Sequence, residues 1–403
     1  MLRVPIEQAK EGMTLARSVP NPKKPQNSLL KANFKLDEET IKRLRTLRIY
    51  SLWVQYPNLD FLDEILDPEL TRNQQELYGA LKDQFQAGQE ISLAKVDYSR
   101  YVQQVGQLFS RILTGQGKSS LFINELHGES NDIFLHGTTV AYLALLIGMR
   151  LENYLVHERH RLPVHLATDL TQLGVGCLLH DIGKLNFPEE LQNFRLTAQD
   201  RGEPEWQKHT EAGFEMVQGG LDPSAAQIVL NHHQHFDGSG FPPRKEVPGI
   251  AGEIAPLEGQ EIHIFCRIAA IADRFENFLH LPDGAMAPTI MALKRLKNLG
   301  YTKWFDPKIM TAFQETVPPF TLGEQVTLNN GQTVVVTELN EKQPCRPTVK
   351  PIDLKKAENI KKHSDQQKQD QEQKEEAPDI LLAVRGDLHI AKVGSFDVTN
   401  YLF

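Results

Sequence analysis

The residues best suited to chemistry lie between Leu179 and Pro242. This segment opens with Leu-His-Asp-Ile-Gly-Lys at positions 179–184 and closes with His-His-Gln-His-Phe-Asp-Gly-Ser-Gly-Phe-Pro at positions 232–242. Imidazole nitrogens and carboxylate oxygens are donors that divalent first-row metals bind in proteins. The density of these side chains therefore predicts a metal site.

Further candidate ligands lie on both sides of this segment, each at a position predicted to be helical. Any one of them alone is typical of a satisfied core or surface group, but their order and company in one chain favour a shared site. One tetrahedral zinc has too few positions for seven ligands, whereas two ions that share a bridging carboxylate, most naturally Asp181, account for the number. The set is His136, His180, Asp181, His209, His232, His233 and Asp273.

Helical periodicity places these residues in an all-α domain that extends from about residue 95 to residue 320. Neighbouring side chains on a helix point about 100° apart, so His180 and Asp181 reach one cluster only if the helix wall forms part of the site. The predicted helices are Tyr98–Leu113, Ile133–Leu151, Ala167–Leu185, His209–Val217, Ala225–His233, Ile262–Phe278 and Pro288–Leu299.

The chain before this domain has a different pattern. Residues 1–60 are predicted to form a small α+β module, with a helix at Leu36–Leu47 and an alternating strand at Ile49–Tyr56. Residues 61–94 are polar and favour helix, so they are predicted to be a helical connector.

The chain after the helical domain is predicted to be mostly β. Alternating residues on either side of Asn330-Gly331 predict a hairpin within residues 321–350. Residues 351–378 are dominated by Lys, Gln, Glu and Asp, above all from Lys355 to Ala377, and predict a disordered insertion. Residues 379–403 are apolar again and are expected to add strands to the hairpin.

Composition limits the partners and the compartment. The net charge of −8 argues against binding to nucleic-acid polymers or to anionic membranes, so a phosphate ligand needs a local site. The three cysteines are too few for a disulfide framework, and Cys177 and Cys266 are expected to be buried thiols. There is no signal pattern, and the longest apolar run, Val140–Met149, is too short to span a membrane. We expect a soluble, cytoplasmic protein.

The ordered set of ligands resembles the HD-GYP family, a branch of the HD phosphohydrolases that hydrolyses cyclic di-GMP. The resemblance covers about residues 95–320. The family's first histidine falls on His136 in Leu-His-Gly-Thr-Thr-Val, and its HD dyad with the following lysine falls on His180, Asp181 and Lys184. Its remaining ligands fall on His209, His232, His233 and Asp273. The fold implied is mainly α: a helical HD-type bundle with the small N-terminal module and a short β extension.

The resemblance implies a metal-dependent phosphodiesterase that opens a cyclic dinucleotide to linear pGpG and cuts it further to GMP. Asp181 would orient the water that attacks phosphorus in line, and Lys184 would neutralise charge on a phosphate oxygen. The alternative for Lys184 is an exposed helix lysine. The ions implied are two, iron or manganese, with zinc as the alternative. Members with a third ion carry Glu four residues before the first histidine, and this chain has Asp132 at that position. Asp132 is either a third-metal ligand or a solvated residue at the start of a helix.

The family's glycine-rich loop corresponds to Asp237-Gly238-Ser239-Gly240-Phe241-Pro242, with Phe in place of the usual Tyr. The resemblance assigns substrate contacts to Asp237, Gly238, Gly240, Phe241 and Pro242. Glycines permit close backbone approach to a ligand, although a tight turn between two helices explains them equally well. His235 is close enough in sequence to support the ligands from a second layer.

The segment after Asp273 departs from the family pattern. The family continues with Asp-Ala-Leu-Thr-Ser and then Arg-Pro-Tyr, whereas residues 276–282 here are Glu-Asn-Phe-Leu-His-Leu-Pro. The basic residues expected to hold substrate phosphates have no counterpart in register, unless Arg274 or Lys294 replaces them. Two alternatives therefore stay open: a metal-retaining sensor or interaction module, and an HD hydrolase for another nucleotide.

The N-terminal module resembles, more loosely, a small domain of unknown function that precedes some HD-GYP domains. The similarity runs from Val4-Pro5-Ile6 and Glu11-Gly12-Met13 to Val54. It suggests a sensor or a homodimerisation element that contacts signalling partners. A packing cap on the helical domain is the alternative.

Overall fold

The structure is a computed structural model. It describes residues 1–21, 24–47, 49, 51–59, 62, 68–85, 98–114, 133–188, 204–244, 255–281, 285–358 and 378–403. Within these ranges, no single helix has both the length and the apolar character needed to span a bilayer, although the bent pair of helices at 133–158 reaches those limits when taken together.

The fold is mainly α, as predicted. The longer helices are α2 (Pro68–Phe85), α3 (Tyr98–Thr114), α4 (Ile133–Met149), α7 (Thr171–Leu179), α9 (His209–Val217), α10 (Pro223–Asn231), α11 (Ile264–Leu279), α12 (Thr289–Leu296) and α14 (Pro307–Thr316). Shorter ones are α1 (Glu38–Thr46), α5 (Glu152–Glu158), α6 (Val164–Ala167), α8 (Pro204–Gln207), α13 (Leu299–Thr302) and α15 (Lys355–Glu358).

Helix α4 lies at the centre of the bundle. Every residue from Phe134 to Gly148 is buried, as expected for a helix that is apolar on all sides. It packs against α7 and α11, so the helices that carry His136 and Asp273 are neighbours in the core. The two cysteines predicted to be buried thiols, Cys177 and Cys266, are buried there as well.

Helix α2 belongs to the same core. It lies in the segment predicted to be a connector, but Leu77 and Leu81 are almost completely buried in the bundle and the helix packs against α3. The polar residues of this segment lie on the other side of an amphipathic helix.

The single helix predicted at Ala167–Leu185 is wrong. The chain breaks after α6, where the Asp169 carboxylate accepts a hydrogen bond from the Thr171 amide at 2.8 Å and competes with helical bonding. Helix α7 then ends at Leu179, and residues Ile182–Asn186 form a tighter 3₁₀ turn. His180 and Asp181 therefore lie at a helix end, where adjacent side chains are free to converge.

A close backbone approach accompanies this turn. A Cβ atom on Gly183 would lie 2.0 Å from the carbonyl oxygen of His209 and 2.5 Å from the amide nitrogen of Gly213. Only glycine allows this contact. It brings the His180-Asp181 segment against α9, whose first residue is His209.

Two other predicted helices also end earlier than expected. Helix α10 stops at Asn231, so His232 and His233 follow it rather than lie within it. The helix predicted at Pro288–Leu299 is α12 followed by α13, because the Asn298 side chain accepts a bond from the Gly300 amide at 3.0 Å and starts a new helix.

The N-terminal module is α+β, as predicted. Strand β1 (Leu2–Pro5) pairs antiparallel with β4 (Ser51–Val54), and β2 (Val19–Asn21) pairs with β3 (Lys24–Leu30). Helix α1 begins where the Asp37 side chain accepts a bond from the Thr40 amide.

The C-terminal extension is a six-stranded antiparallel sheet. Its strands are β5 (Gln325–Leu328), β6 (Thr333–Glu338), β7 (Thr348–Pro351), β8 (Ile380–Leu381), β9 (Ile390–Val393) and β10 (Phe396–Asp397), in the order β10-β9-β5-β6-β7-β8. The predicted hairpin is β5–β6, with Gly331 at a φ of +83° in its turn. The last residues add strands, as expected.

This sheet packs against both the helical domain and the N-terminal module. Its apolar residues pack against Ile290 and Met291 of the α12 region on one side. Val335 and Ala357 belong to the core of the N-terminal module. The disorder predicted from Lys355 is wrong for Lys355–Glu358, which is helical with Ala357 buried. The rest of the predicted insertion, residues 359–377, lies outside the described residues.

Helix α11, which carries Asp273, is capped by His263. The Nδ1 atom of His263 accepts a hydrogen bond from the Phe265 amide at 3.2 Å, so the ring must be neutral at that nitrogen. Burial, together with Arg159 and Arg267, lowers the pKa of His263 from 6.5 to about 4. The capped, neutral form is therefore the stable one at neutral pH.

We expect this cap to make stability depend on pH. Because the folded pKa lies below the unfolded value, the stabilisation is present above pH 6.5 and is lost as pH falls towards 4. His263→Asn keeps a capping side chain without titration. In chelator-treated protein, the free energy of unfolding measured by urea titration should fall in the wild type by about 1 kcal/mol per pH unit relative to the variant. Parallel curves for the two proteins would contradict this role.

Candidate metal centre

Seven side chains converge at the middle of the bundle. His136 comes from α4, Asp273 from α11 and His209 from the start of α9, while the two pairs follow the ends of α7 and α10. All seven are at most 5% exposed. They are the ligands predicted from sequence: His136, His180, Asp181, His209, His232, His233 and Asp273.

The cluster contains two groups with the spacing of metal ligands. One consists of His136, His180 and Asp181, and the other of Asp181, His209, His232 and His233; the potential ligand atoms within each group lie within 4.8 Å of one another. We call them the His136 position and the His209 position. Asp181 belongs to both, so a single carboxylate connects two places where a cation fits.

The distances around Asp181 follow this division. Its Oδ2 atom lies 3.5 Å from His136 Nε2 and 3.4 Å from His180 Nε2. Its Oδ1 atom lies 3.3 Å from His209 Nε2 and 3.7 Å from His232 Nε2. Each carboxylate oxygen thus faces one position, which is the arrangement of a bridging ligand.

Backbone carbonyls orient three of the imidazoles. Nδ1 of His180 lies 2.6 Å from the Cys177 oxygen, and Nδ1 of His209 lies 2.6 Å from the Trp206 oxygen. Nδ1 of His232 lies 3.0 Å from the Ile228 oxygen. A carbonyl can only accept, so Nδ1 of each ring carries a proton and Nε2 is the nitrogen that faces the cluster.

The charged groups of the centre compensate one another. Burial opposes ionisation of Asp181, but the charges of Lys184 and His180 outweigh it and hold the pKa of this carboxyl well below its usual range. Burial opposes ionisation of Asp273 too, yet hydrogen bonds from His136 and His180 keep its pKa well below the usual range. Both carboxylates are therefore ionised at neutral pH and attract a cation.

The imidazoles divide into two kinds. Burial disfavours a charged His180, but Asp181 and Asp273 raise its pKa to about 10. Burial lowers the pKa of His209 to about 4 and the pKa of His232 to about 3. His209 and His232 are thus neutral ligands, whereas a metal ion must displace a proton from His180.

Two buried atoms mark where a cation fits. Asp181 Oδ1 and His233 Nε2 are both buried and have no hydrogen-bond partner within the described part of the chain. An unsatisfied buried acceptor costs free energy comparable to a lost hydrogen bond. Mixed imidazole and carboxylate donors of this kind suit iron, manganese and zinc. The residues present therefore fit divalent metal ions.

Sequence reasoning missed three residues that support the ligands. Glu276 Oε2 lies 2.5 Å from His136 Nδ1, and Asn277 Nδ2 donates to Asp273 Oδ1 at 2.7 Å. The Trp206 ring packs on His209, with ring centroids 4.6 Å apart. The signal for the first two was the departure from the family pattern directly after Asp273.

The glycine-rich loop packs against the cluster. The Phe241 ring stacks on His233 with centroids 4.7 Å apart, and a Cβ atom on Gly240 would lie 2.3 Å from the His235 amide nitrogen. Gly238 has a φ of +78°, and Asp237 Oδ1 accepts from the Ser239 amide at 3.1 Å. Pro242 follows a cis peptide bond. These contacts fix a tight turn that supports a ligand, and the substrate contacts assigned to the loop stay a prediction.

The remaining candidate residues lie around this core. His235 stacks on Trp304 with ring centroids 4.0 Å apart, and Arg274 is buried with its guanidinium 5.2 Å from the same Trp304 ring. Lys294 is exposed on α12. Arg274 is therefore committed to packing in this structure. Asp132, the candidate third-metal ligand, lies outside the described residues.

Comparison with known proteins agrees with this geometry. The HD domain family model matches residues 167–309, which contain every ligand except His136. A cyclic di-GMP phosphodiesterase of Pseudomonas aeruginosa is 27% identical over 225 residues, covering 54% of this chain and 47% of that protein. A cyclic di-GMP phosphodiesterase response regulator of Xanthomonas campestris is 31% identical over 145 residues, covering 35% of each chain.

A third relative is named for a different substrate. The 3′3′-cGAMP-specific phosphodiesterase 2 of Vibrio cholerae is 37% identical over 106 residues, covering 24% of this chain and 17% of that protein. In each comparison the similarity spans half or less of the length of the curated relative.

Proposed function

We propose that residues 167–309, which match the HD domain family model, form a domain of the HD-GYP family and that the protein is a metal-dependent phosphodiesterase. Its substrate is the cyclic dinucleotide cyclic di-GMP, which it opens to linear pGpG and cuts further to GMP. The similarity to proteins named as cyclic di-GMP phosphodiesterases supports the substrate class. The compartment that suits its unpaired, buried cysteines is the reducing cytoplasm.

One observation carries the proposal: Asp181 belongs to both the His136 position and the His209 position. Two ions that share a carboxylate are the arrangement used for in-line displacement at phosphorus. When bound, such ions supply Lewis-acid chemistry by polarising a phosphoryl oxygen and activating water. The His136 position and the His209 position would each hold one, as iron or manganese or, alternatively, zinc.

The protein's own groups complete the chemistry. Asp181 is held ionised, so it can orient the attacking water between the two positions and accept its hydrogen bond. Lys184 is 7% exposed, and its Nζ atom lies 2.5 Å from Asp181 Oδ2. An ammonium has three donors, so Lys184 can hold Asp181 and a phosphate oxygen together. Its charge then lies where negative charge develops in the transition state.

The experiment is a substrate panel. Protein loaded with manganese or iron under reducing conditions is incubated with cyclic di-GMP, cyclic di-AMP and 3′3′-cGAMP, and products are separated by chromatography. We expect linear product from cyclic di-GMP at rates well above the other two. If only another cyclic dinucleotide gives product, that compound is the substrate instead of cyclic di-GMP. If none of them gives product at stoichiometric amounts of enzyme, the proposed enzymatic function is refuted.

A second candidate function is a metal-retaining sensor of cyclic dinucleotides. The observation that favours it is the segment after Asp273, where Glu276 and Asn277 face the predicted ligands and residues 276–281 contain no lysine or arginine. Phosphate recognition there would be weak. In the same panel, a sensor binds cyclic di-GMP in equilibrium dialysis but releases no linear product.

A further inference from the structure

We propose that Glu276 is a positioning residue that fixes His136 as a metal ligand, by holding its ring between α4 and α11. The proposal rests on the metal centre of the proposed function and assigns a role to the segment that departs from the family pattern. Asn277 gives the same support to Asp273. The two residues make the His136 position depend on one short stretch of α11.

Glu276 forms a bridge between two imidazoles. Its Oε2 atom lies 2.5 Å from His136 Nδ1, and its Oε1 atom lies 2.8 Å from His280 Nε2. Glu276 is 1% exposed. A carboxylate this deeply buried is stabilised by hydrogen bonds to its oxygens, and these two contacts supply one to each oxygen. His280 thus anchors Glu276, and Glu276 anchors His136.

This bridge sets which nitrogen of His136 faces the centre. The Glu276 carboxylate accepts from Nδ1 of His136, so Nε2 is the nitrogen that faces the cluster, where a cation would replace its hydrogen bond to Asp273. Nε2 lies 3.0 Å from Asp273 Oδ1 and 3.5 Å from Asp181 Oδ2, which places it inside the cluster.

Glu276 differs from the acceptors of the other oriented rings. His180, His209 and His232 are each held by a backbone carbonyl close in sequence. Among these four described imidazoles, only His136 has its Nδ1 atom held by a side chain, and that side chain comes from another helix 140 residues away. The orientation of His136 therefore depends on a residue that a substitution can remove without changing the backbone of α4.

Asn277 supports the neighbouring ligand. Its Nδ2 atom donates to Asp273 Oδ1 at 2.7 Å and to the Asp273 carbonyl oxygen at 3.0 Å. Residues three and four positions apart lie on the same face of a helix, so Glu276 and Asn277 follow Asp273 on the side that faces the cluster. One turn of α11 thus supplies a ligand and the supports of two ligands.

The test compares three variants for metal binding, without any nucleotide. Glu276→Leu removes the acceptor at nearly constant size, and Glu276→Gln keeps one acceptor oxygen. Glu324→Leu is the matched control, because Glu324 is another glutamate with buried surface, accepting from the Thr321 amide at 2.8 Å in the C-terminal extension. Metal affinity is measured by competition with a chelator, stoichiometry by elemental analysis, and the thermal midpoint on the metal-free proteins.

We expect Glu276→Leu to bind one of its two ions about 10- to 100-fold more weakly and to keep the other, because loss of an outer hydrogen-bond partner has this effect on metal sites. Glu276→Gln should recover part of the affinity, and Glu324→Leu should bind both ions like the wild type. Wild-type affinity for both ions in Glu276→Leu overturns the proposal. The proposal is also overturned if Glu276→Leu and Glu276→Gln lose metal affinity equally and both have lower thermal midpoints than Glu324→Leu. That result would assign Glu276 to packing.

The outcome is separate from that of the proposed function. A wild-type protein that binds two ions but hydrolyses no cyclic dinucleotide refutes the phosphodiesterase and leaves the role of Glu276 intact. A wild-type protein that binds fewer than two ions refutes the His136 position, and the role of Glu276 with it.

Discussion

Replacing Asp181 with asparagine is expected to reduce the metal content of the protein from two ions to fewer than one. The hydrolysis rate should fall about a thousandfold or more, because metal ions lower the barrier by several kcal/mol and each 1.4 kcal/mol is tenfold in rate. Each Asp181 oxygen faces one position, at 3.4 Å from His180 Nε2 and 3.3 Å from His209 Nε2. No other residue belongs to both groups in the described chain. The substitution therefore removes charge from both positions at once.

The measurement is elemental analysis of the purified variant beside the wild type, followed by the chromatographic assay. Glu324→Gln serves as the control for loss of a carboxylate elsewhere, and it should retain both ions and the wild-type rate. His180→Ala should also lower the metal content, but through the His136 position alone. If Asp181→Asn retains two ions, Asp181 does not bridge them and the description of the metal centre is wrong.

Replacing Lys184 with methionine is expected to separate metal binding from catalysis. The ammonium lies 2.5 Å from Asp181 Oδ2 and 5.3 Å from the centre of the Trp206 ring, within the core. Methionine fills similar space without the charge. His180 still favours the ionised form of Asp181, and a positive charge that repels metal ions is gone. The metal content should stay at two ions, while kcat falls about 100- to 1000-fold because a donor to the transition state is lost.

Lys208→Met is the control for this prediction. Lys208 immediately precedes His209 but is partly exposed and pairs with Glu205 at 2.7 Å. Its replacement should change neither the metal content nor kcat. A wild-type kcat in Lys184→Met would show that Lys184 balances the charge of Asp181 without acting on the substrate.

The convergence of the seven side chains could be predicted from sequence because their residue types and order carry the information. A histidine or aspartate in an apolar helix such as α4 or α11 is costly to bury unless it has a partner, and seven of them in one domain favour a shared one. The helix ends could not be predicted. Asp169 and Gly183 interrupt the pattern through a side-chain hydrogen bond and a backbone approach to His209, and both depend on the folded arrangement.

The supporting residues were hidden for a related reason. Glu276 and Asn277 read as ordinary polar positions of an amphipathic helix, and only the packing of α11 against α4 shows that they face His136 and Asp273. The stack of Phe241 on His233 was not predicted either. The substrate contact that the loop pattern indicates for Phe241 stays a prediction.

The most direct test of the two-ion account is a metal titration of the wild-type protein. Metal-free protein is given increasing equivalents of Mn²⁺ under reducing conditions, and linear product from cyclic di-GMP is measured at each step. We predict that the rate stays low up to the first equivalent and rises to its maximum as the second ion binds. A maximal rate with one ion, or no product with two ions bound, would contradict the account.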